Sequence, residues 1–181
     1  MQASDFESLS SWRRATYCAA LSQLNMNHIL LFSELKQLDP KPAVKLMTKT
    51  WAFLEGELKS LDNLERFFNE FDEWQNSLLD DLSSFGAMAA QQACQSLYSA
   101  AYAVIDESAN DCHPIYMALQ QLLDDMAEMG ADHESLKQRQ AEIDREIMTI
   151  INSDQSRKNI VLDVRKLVNS ETASSLGIEL D

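Results

Sequence analysis

Twenty-four consecutive residues, Leu82 to Ile105, contain no Asp, Glu, Lys, Arg or His. Charge crowds both ends of this gap, with Asp80 and Asp81 before it and Asp106 and Glu107 after it. Protein surfaces carry about a quarter to a third charged residues. Six helical turns without one therefore belong inside something, either a bilayer or a protein core. Uncharged runs of about 18 residues or more raise the question of a membrane span. This run fails that test on content. It carries Gln91, Gln92, Gln95, Ser83, Ser84, Ser96 and Ser99, seven of its sixteen apolar residues are alanine, and no Lys or Arg flanks it to set a topology. It reads as an Ala-rich helix at the centre of a protein bundle.

The charge around the gap is nearly all of one sign. Between Asp62 and Glu134 stand 15 acidic residues and one basic residue, Arg66. The flanking segments are close to balanced, so the formal net charge of −14 resides in the middle of the chain. Such an excess argues against direct nucleic-acid binding, which draws on Lys and Arg. At 181 residues the chain is long enough for one domain that buries roughly 70% of its unfolded surface. With only 4 Gly and 3 Pro, and with Ala, Leu, Gln, Glu and Met plentiful, it favours helix throughout.

Apolar spacing divides the chain into helical segments. Ser4-x-x-Glu7 has capping-box spacing and opens a first segment running through Trp12, Tyr17, Leu21 and Leu24. A short helix carries Ile29, Leu30, Phe32 and Leu35 and stops before Asp39-Pro40-Lys41-Pro42, where proline denies a backbone donor. Val44, Met47, Trp51, Leu54 and Leu58 mark the next. Leu61, Leu64, Phe67, Phe68, Phe71, Trp74 and Leu78 then form an apolar face opposite Asp62, Glu65, Asp72 and Glu73. After Pro114 comes a helix through Ile115, Leu119, Leu122, Met126 and Met129, with Gly130 as its C-terminal cap. From Leu136 to Val168 a heptad seam passes through Gln140, Ile143, Ile147, Ile150, Asp154, Arg157, Val161 and Val164. It predicts one long, kinked helix over about 133–168, the longest of the molecule, with Asp154 and Arg157 paired at i,i+3. The tail, 170–181, has no periodicity. The expected fold is an all-α, single-domain bundle of six to eight helices over residues 1–181.

Within the uncharged helix, Ser84, Gln91, Gln92, Gln95, Ser96 and Ser99 share an arc of about 140°. Three covers suit this neutral stripe: another helix of the same chain, a second copy in a homodimer, or a ligand in a groove lined by Gln91, Gln95, Tyr98 and Tyr102. The acidic middle has three readings: a solvated surface, a dock for a basic protein partner on the face of Asp62, Glu65, Asp72 and Glu73, or cation binding through Asp80-Asp81 or Asp124-Asp125, which no EF-hand spacing supports.

Catalytic signatures are missing. None of His28, His113 and His133 has Glu or Asp three or four residues before it, as a di-iron bundle requires. Cys112-His113 is the one adjacent pair of zinc-type ligands, too few for a site. There is no Gly-x-Gly-x-x-Gly, Walker loop or Gly-x-Ser-x-Gly. The sequence thus names no catalytic residue, metal or cofactor. The first seven residues lack a basic n-region and an apolar h-region, and Cys18, Cys94 and Cys112 form no Cys-x-x-Cys. A cytoplasmic location is the expectation.

Several segments, in order, resemble one family. Ser11-Trp12 with Thr16-Tyr17, Ala19, Leu21, Asn27 and Phe32 is similar to the opening of the YjaG-like proteins, a bacterial group of unknown function. Trp51, Leu54, the run Leu64-Glu65-Arg66-Phe67, Ala93-Cys94 and Leu176-Gly177-Ile178 follow in matching order. Where that pattern would place a Pro-Asn-Tyr-like turn, this chain has Met26-Asn27-His28. The resemblance implies an all-helical cytoplasmic protein and carries over no catalytic residues. Two functions stay open: a non-enzymatic interaction protein, or a small-molecule binder or enzyme with its site beside the central helix.

Overall fold

The uncharged helix is the axis on which the others are hung. In a computed structural model describing residues 1–130 and 132–179, it spans Phe85–Ile105 and is the longest element. The described residues form nine helices: α1 (Ala3–Glu7), α2 (Ser11–Leu24), α3 (Met26–Leu35), α4 (Lys41–Leu54), α5 (Leu61–Leu78), α6 (Phe85–Ile105), α7 (Cys112–Glu128), α8 (His133–Ile151) and α9 (Arg157–Ser170). The all-α class expected from spacing is what forms. Among the described residues the sole β feature is an isolated bridge between Ala173 and Glu179.

Helix α6 packs against α2, α3, α4, α5 and α7. Its partner α2 is almost wholly buried from Ala15 to Ser22. Both helices meet through small side chains: Ala15, Ala19 and Ala20 on α2, and Ala90, Ala93, Ala100 and Ala101 on α6, are all fully buried. Small residues let backbones approach, and here a hydroxyl spans the gap, Ser22 Oγ donating to the Ala93 carbonyl at 3.2 Å. The largest fully buried side chains of the core are Trp51, Tyr17, Phe6 and Phe71. Burying each such side chain contributes roughly 1.5–3 kcal/mol.

Serine and aspartate start the later helices. Ser60, Ser84 and Ser156 accept from the backbone N–H three residues on at 3.2, 3.1 and 3.4 Å, and Asp132 does so at 3.3 Å. Gly130 ends α7 with φ +75°, the left-handed value a C-terminal cap needs.

Two expected helices are each broken in two, which lifts the count above the anticipated range. The first segment breaks at Ser8–Ser10. Its cap is Gln2, whose N–H donates to Asp5 Oδ2 at 2.7 Å, rather than the Ser4–Glu7 pair. The C-terminal helix breaks between Ile151 and Arg157. There Asn152 turns its amide back onto the Met148 carbonyl at 2.9 Å, and Ser156 opens a new helix. Short polar side chains compete for the backbone, and here that local bonding overrides the seam. Arg157 sits over the Trp12 ring at 5.6 Å, and Asp154 makes no ion pair among the described residues.

The irregular tail is an anchored strap. Ser174 and Ser175 are fully buried. Arg139 on α8 donates to the Ala173 and Ser174 carbonyls at 2.5 and 2.8 Å and to Glu171 at 2.6 Å. Gly177 turns the strap with φ +78°, a backbone angle that favours glycine, and a Cβ there would lie 3.1 Å from Leu136 Cδ2, which would have to shift by a few tenths of an ångström. No helix among the described residues is long and apolar enough to cross a membrane.

Candidate functional site

The neutral stripe divides along its length. Gln92, Ser96 and Ser99 are buried, and the first two satisfy each other: Gln92 Nε2 donates to Ser96 Oγ at 3.2 Å, and Ser96 Oγ donates to the Gln92 carbonyl at 3.0 Å. Other helices of the same chain therefore cover this part. Gln91 is half-buried and Gln95 exposed. Tyr98 and Tyr102 are half-buried and pack their rings on Phe68 of α5, with centroids at 4.6 and 5.9 Å. Gln95, Tyr98 and Ser99 do share a shallow concavity of about 390 Å³ with Gln75, Asp111 and Ile115, while Gln91 and Tyr102 lie outside it. On the acidic face, Asp62 and Glu73 are exposed and Glu65 and Asp72 are half-buried. Asp72 accepts from Gln75 Nε2 at 2.8 Å. None of the four forms an ion pair among the described residues.

A different place holds the more reactive chemistry. Asp144 on α8 is 2% exposed. Its Oδ1 accepts from Tyr17 Oη on α2 at 3.1 Å and from Gln140 Nε2, one turn earlier, at 3.0 Å. Its Oδ2 is buried and finds no hydrogen-bond partner among the described residues, and the same holds for Gln140 Oε1. Burial pushes the Asp144 carboxyl up to about 6, although the bonds from Tyr17 and Gln140 and the nearby terminal ammonium oppose the rise. Tyr17 is likewise held far above its ordinary value, by burial first and by the Asp144 charge second.

Asp144 lines a concavity of about 630 Å³ bounded by α1, α7 and α8. Met1, Asp5, Tyr116, Arg145 and Asn152 are among its other walls. Tyr116 Oη accepts from the Met1 ammonium at 3.0 Å. An aromatic group of Phe6, Tyr17, His113 and Tyr116, with centroid separations of 5.0 to 6.5 Å, backs this region. A carboxylate of raised pKa beside a cleft, with one oxygen unspent, is equipped to bind a donor or to exchange a proton. Sequence reasoning did not select Asp144. The one signal was Gln140, a polar residue on an otherwise apolar seam.

No group of His, Cys, Asp and Glu able to hold a metal occurs among the described residues. The cysteines are buried free thiols, and Cys18 and Cys112 bring their sulfurs to 3.5 Å. Burial alone pushes Cys94 up to about 12. His28 lies behind a smaller apolar concavity of about 290 Å³, with its Nε2 2.8 Å from Ser174 Oγ, and burial lowers it to about 4. These are structural groups: the raised thiols of Cys18 and Cys94 are poor nucleophiles, and a neutral buried imidazole serves as a hydrogen-bonding core residue.

Comparison with known proteins gives the same fold and no activity. An uncharacterised protein of Haemophilus influenzae is 24% identical over 189 residues, spanning 96% of this chain and 94% of the relative. A crystal structure of a DUF416 family protein from Shewanella baltica superposes with a TM-score of 0.77 at 17% identity, covering 99% of each chain. The family model described as a protein of unknown function (DUF416) matches residues 3–179. The chain therefore belongs to the DUF416 family.

Proposed function

We propose that this protein binds a small polar molecule in the cavity bounded by α1, α7 and α8, with Asp144 as the anchor. One observation carries the reading: a buried carboxylate on the wall of a 630 Å³ cavity keeps an oxygen without a protein partner. Leaving a buried acceptor unpaired costs roughly 1–3 kcal/mol, more when it is charged. That oxygen is itself closed off from solvent, so the Asp144 side chain must turn toward the cavity for a ligand donor to relieve the cost. Ligand sites are typically concave and about 300–1,000 Å³, with few convergent polar groups, and this cavity has that form. Proton transfer is within the reach of a carboxyl near pH 6, but Asp144 is hydrogen-bonded to Tyr17 and Gln140, and no serine or threonine of the cavity wall is paired with it among the described residues, so binding is the reading the geometry favours.

The test is a thermal-shift screen of small polar metabolites against the wild-type chain and Asp144→Asn. Ligand at a hundred times its Kd adds about 2.7 kcal/mol, which moves a domain of this size by roughly 5–10 °C. The expected result is a set of compounds that raise Tm in the wild type and not in the variant. Shifts that persist equally in a folded Asp144→Asn protein contradict the site.

A second reading, interaction through the acidic surface, is favoured by Asp62, Glu65, Asp72 and Glu73 standing on α5 without ion pairs among the described residues. The occupant would be a basic protein partner, and charge reversal at Glu65, Asp72 and Glu73 would abolish its capture while the circular dichroism spectrum stays unchanged. Self-association would appear as a solution mass of twice 20.5 kDa. Three reduced, buried thiols support a cytoplasmic location. The ordered Trp12, Trp51, Ala93-Cys94 and Gly177 matches support a place among the YjaG-like members.

A further inference from the structure

The shallow concavity between α5, α6 and the start of α7 collects polar groups that the fold does not use. It shares no wall residue with the Asp144 cavity. Six serines are buried among the described residues. Ser22, Ser33, Ser96, Ser174 and Ser175 each hydrogen-bond within the chain, whereas the Ser99 hydroxyl has no partner among the described residues. Ser99 is only 7% exposed and lines the concavity, and its Oγ keeps contact with solvent, so the hydroxyl opens into this space.

Asp111 is a second unused group. It stands at the N-cap of α7, where an aspartate ordinarily accepts from the first backbone N–H groups. Here its side chain makes no capping bond and no ion pair among the described residues, and it is exposed in the wall of the concavity. Gln95 and the half-buried Tyr98 of α6 add an amide and a phenol to the same wall. Phe68 and Tyr102 hold the Tyr98 ring in place, with centroids at 4.6 and 5.7 Å. From α5, Gln75 gives its Nε2 to Asp72 at 2.8 Å, which leaves its Oε1 for other donors.

Charge selects the ligand class. Asp111 is the one charged residue of the wall. Burial first, and the charges of Asp72 and Asp111 after it, raise the Tyr98 hydroxyl, which stays neutral at pH 7. Arg14 of α2, whose carbonyl meets Cys112 Sγ next to Asp111, lies outside the wall and turns its Nη2 to the Glu107 carbonyl at 2.6 Å. The site is therefore negative and holds none of the chain's own cations. Its acceptors are spread over three helices rather than focused on one point. An ammonium offers its N–H groups from a single atom, whereas a guanidinium carries five on a planar fork, matches a carboxylate with two of them and stacks on aromatic rings.

We propose that this concavity binds a guanidinium group, paired with the Asp111 carboxylate, with further N–H groups donating to Ser99 Oγ and Gln95 Oε1 beside the Tyr98 ring.

The experiment titrates the full chain, labelled with nitrogen-15, with ethylguanidinium chloride. Ethylurea supplies the planar shape without the charge, ethylammonium chloride supplies the charge without the fork, and sodium chloride holds the ionic strength constant. The readouts are the backbone amides of Ser99 and Asp111 and the side-chain amides of Gln75 and Gln95. Expected is a saturable response to ethylguanidinium, about ten-fold or more tighter than to ethylurea and several-fold tighter than to ethylammonium. Asp111→Asn should weaken it about ten-fold and Ser99→Ala several-fold. Neither side chain bonds within the fold, so both variants should keep the wild-type Tm. Acetyl-glycyl-arginyl-glycinamide carries the same group on a peptide. Binding as tight as that of ethylguanidinium names an arginine side chain as the ligand, exclusion names a free guanidinium compound, and each upholds the group.

Ethylurea or ethylammonium binding here as tightly as ethylguanidinium overturns the guanidinium class. Silence from every probe overturns the site. A response of equal strength in Asp111→Asn and Ser99→Ala is counter-ion screening of the acidic surface and overturns the placement. None of these failures touches the Asp144 reading, because the two sites share no residue.

Discussion

Tyr17 and Asp144, 127 residues apart in sequence, meet in the core through a 3.1 Å hydrogen bond from the phenol to the carboxylate. The bond joins α2 to α8. It stabilises the ionised form of Asp144, so removing it should raise that carboxyl further. A Tyr17→Phe variant keeps the ring among Phe6 and its neighbours. It should lose about 1.5–3 kcal/mol, the usual worth of a hydrogen bond to a charged group, in urea unfolding at pH 7. Below pH 5, where Asp144 is protonated, the loss should shrink toward that of a neutral bond, about 1 kcal/mol.

Two buried groups make opposite contributions to acid stability. His28 is lowered by burial to about 4, below its unfolded value of about 6.5. As pH falls from about 6.5 to 4 the unfolded chain takes up the proton first, so His28 destabilises the fold. Asp144 is raised to about 6, above its unfolded value of about 3.9. Over pH 6 to 4 the folded chain takes up that proton first, so Asp144 stabilises it. Each shift of two units or so is worth of order 3 kcal/mol, and in the wild type the two nearly offset. Urea unfolding between pH 4 and 7 should show Asp144→Asn losing about 3 kcal/mol more than wild type on acidification. His28→Gln should show the reverse. Parallel curves for all three proteins contradict both assignments.

The close contact of α2 and α6 tolerates no added volume. Ala93 is fully buried, and its carbonyl accepts from Ser22 across the helix pair. Ala93→Leu should cost at least 1–3 kcal/mol by overpacking, seen as a fall in Tm of several degrees. Gly86, near the start of the same helix, has nothing within 4 Å of an added Cβ and no positive φ. Gly86→Ala should therefore hold or raise stability, by roughly 0.5 kcal/mol.

Asn25 ties the C-terminal strap to the helical body. Fully buried, it donates through Nδ2 to the Leu21 carbonyl at 3.0 Å and to Ser175 Oγ at 2.9 Å, and its Oδ1 accepts from the Ser175 N–H at 3.1 Å. Asn25→Ala leaves a buried N–H unpaired and should cost about 2 kcal/mol. Limited proteolysis should then cut within residues 171–179 well before the helices. A strap that stays as resistant as in the wild type contradicts this anchoring.

What the sequence made legible was whatever repeats locally. Steps of three and four placed α4, α5 and α7, and the absence of charge placed α6 at the centre. Breaks set by a few polar side chains escaped notice. The heptad seam runs unbroken on paper through Asn152 to Ser156, yet there side chains take part in the backbone bonding, Asn152 Nδ2 donating to the Met148 carbonyl and Ser156 Oγ accepting from the Asn159 N–H. The strap escaped too, because Ser174 and Ser175 are buried by partners some 150 residues away, and nothing in their own neighbourhood marks them. Of the stripe, Gln92 and Ser96 found their partners on the same helix, while Gln95 faces outward. Asp144 stood beside Ile143 and Ile147 like any charge next to a seam. Its importance comes from Tyr17, an apolar-stripe residue whose hydroxyl needed a distant acceptor. Pairings of this kind have no period and surface only with the fold.

The most direct test is the titration of the Asp144 carboxyl carbon by NMR in the unliganded protein. A buried carboxylate with one oxygen unpaired predicts a midpoint near 6. A midpoint near 4 would mean that Asp144 is solvated or fully paired, and the cavity would lose its anchor.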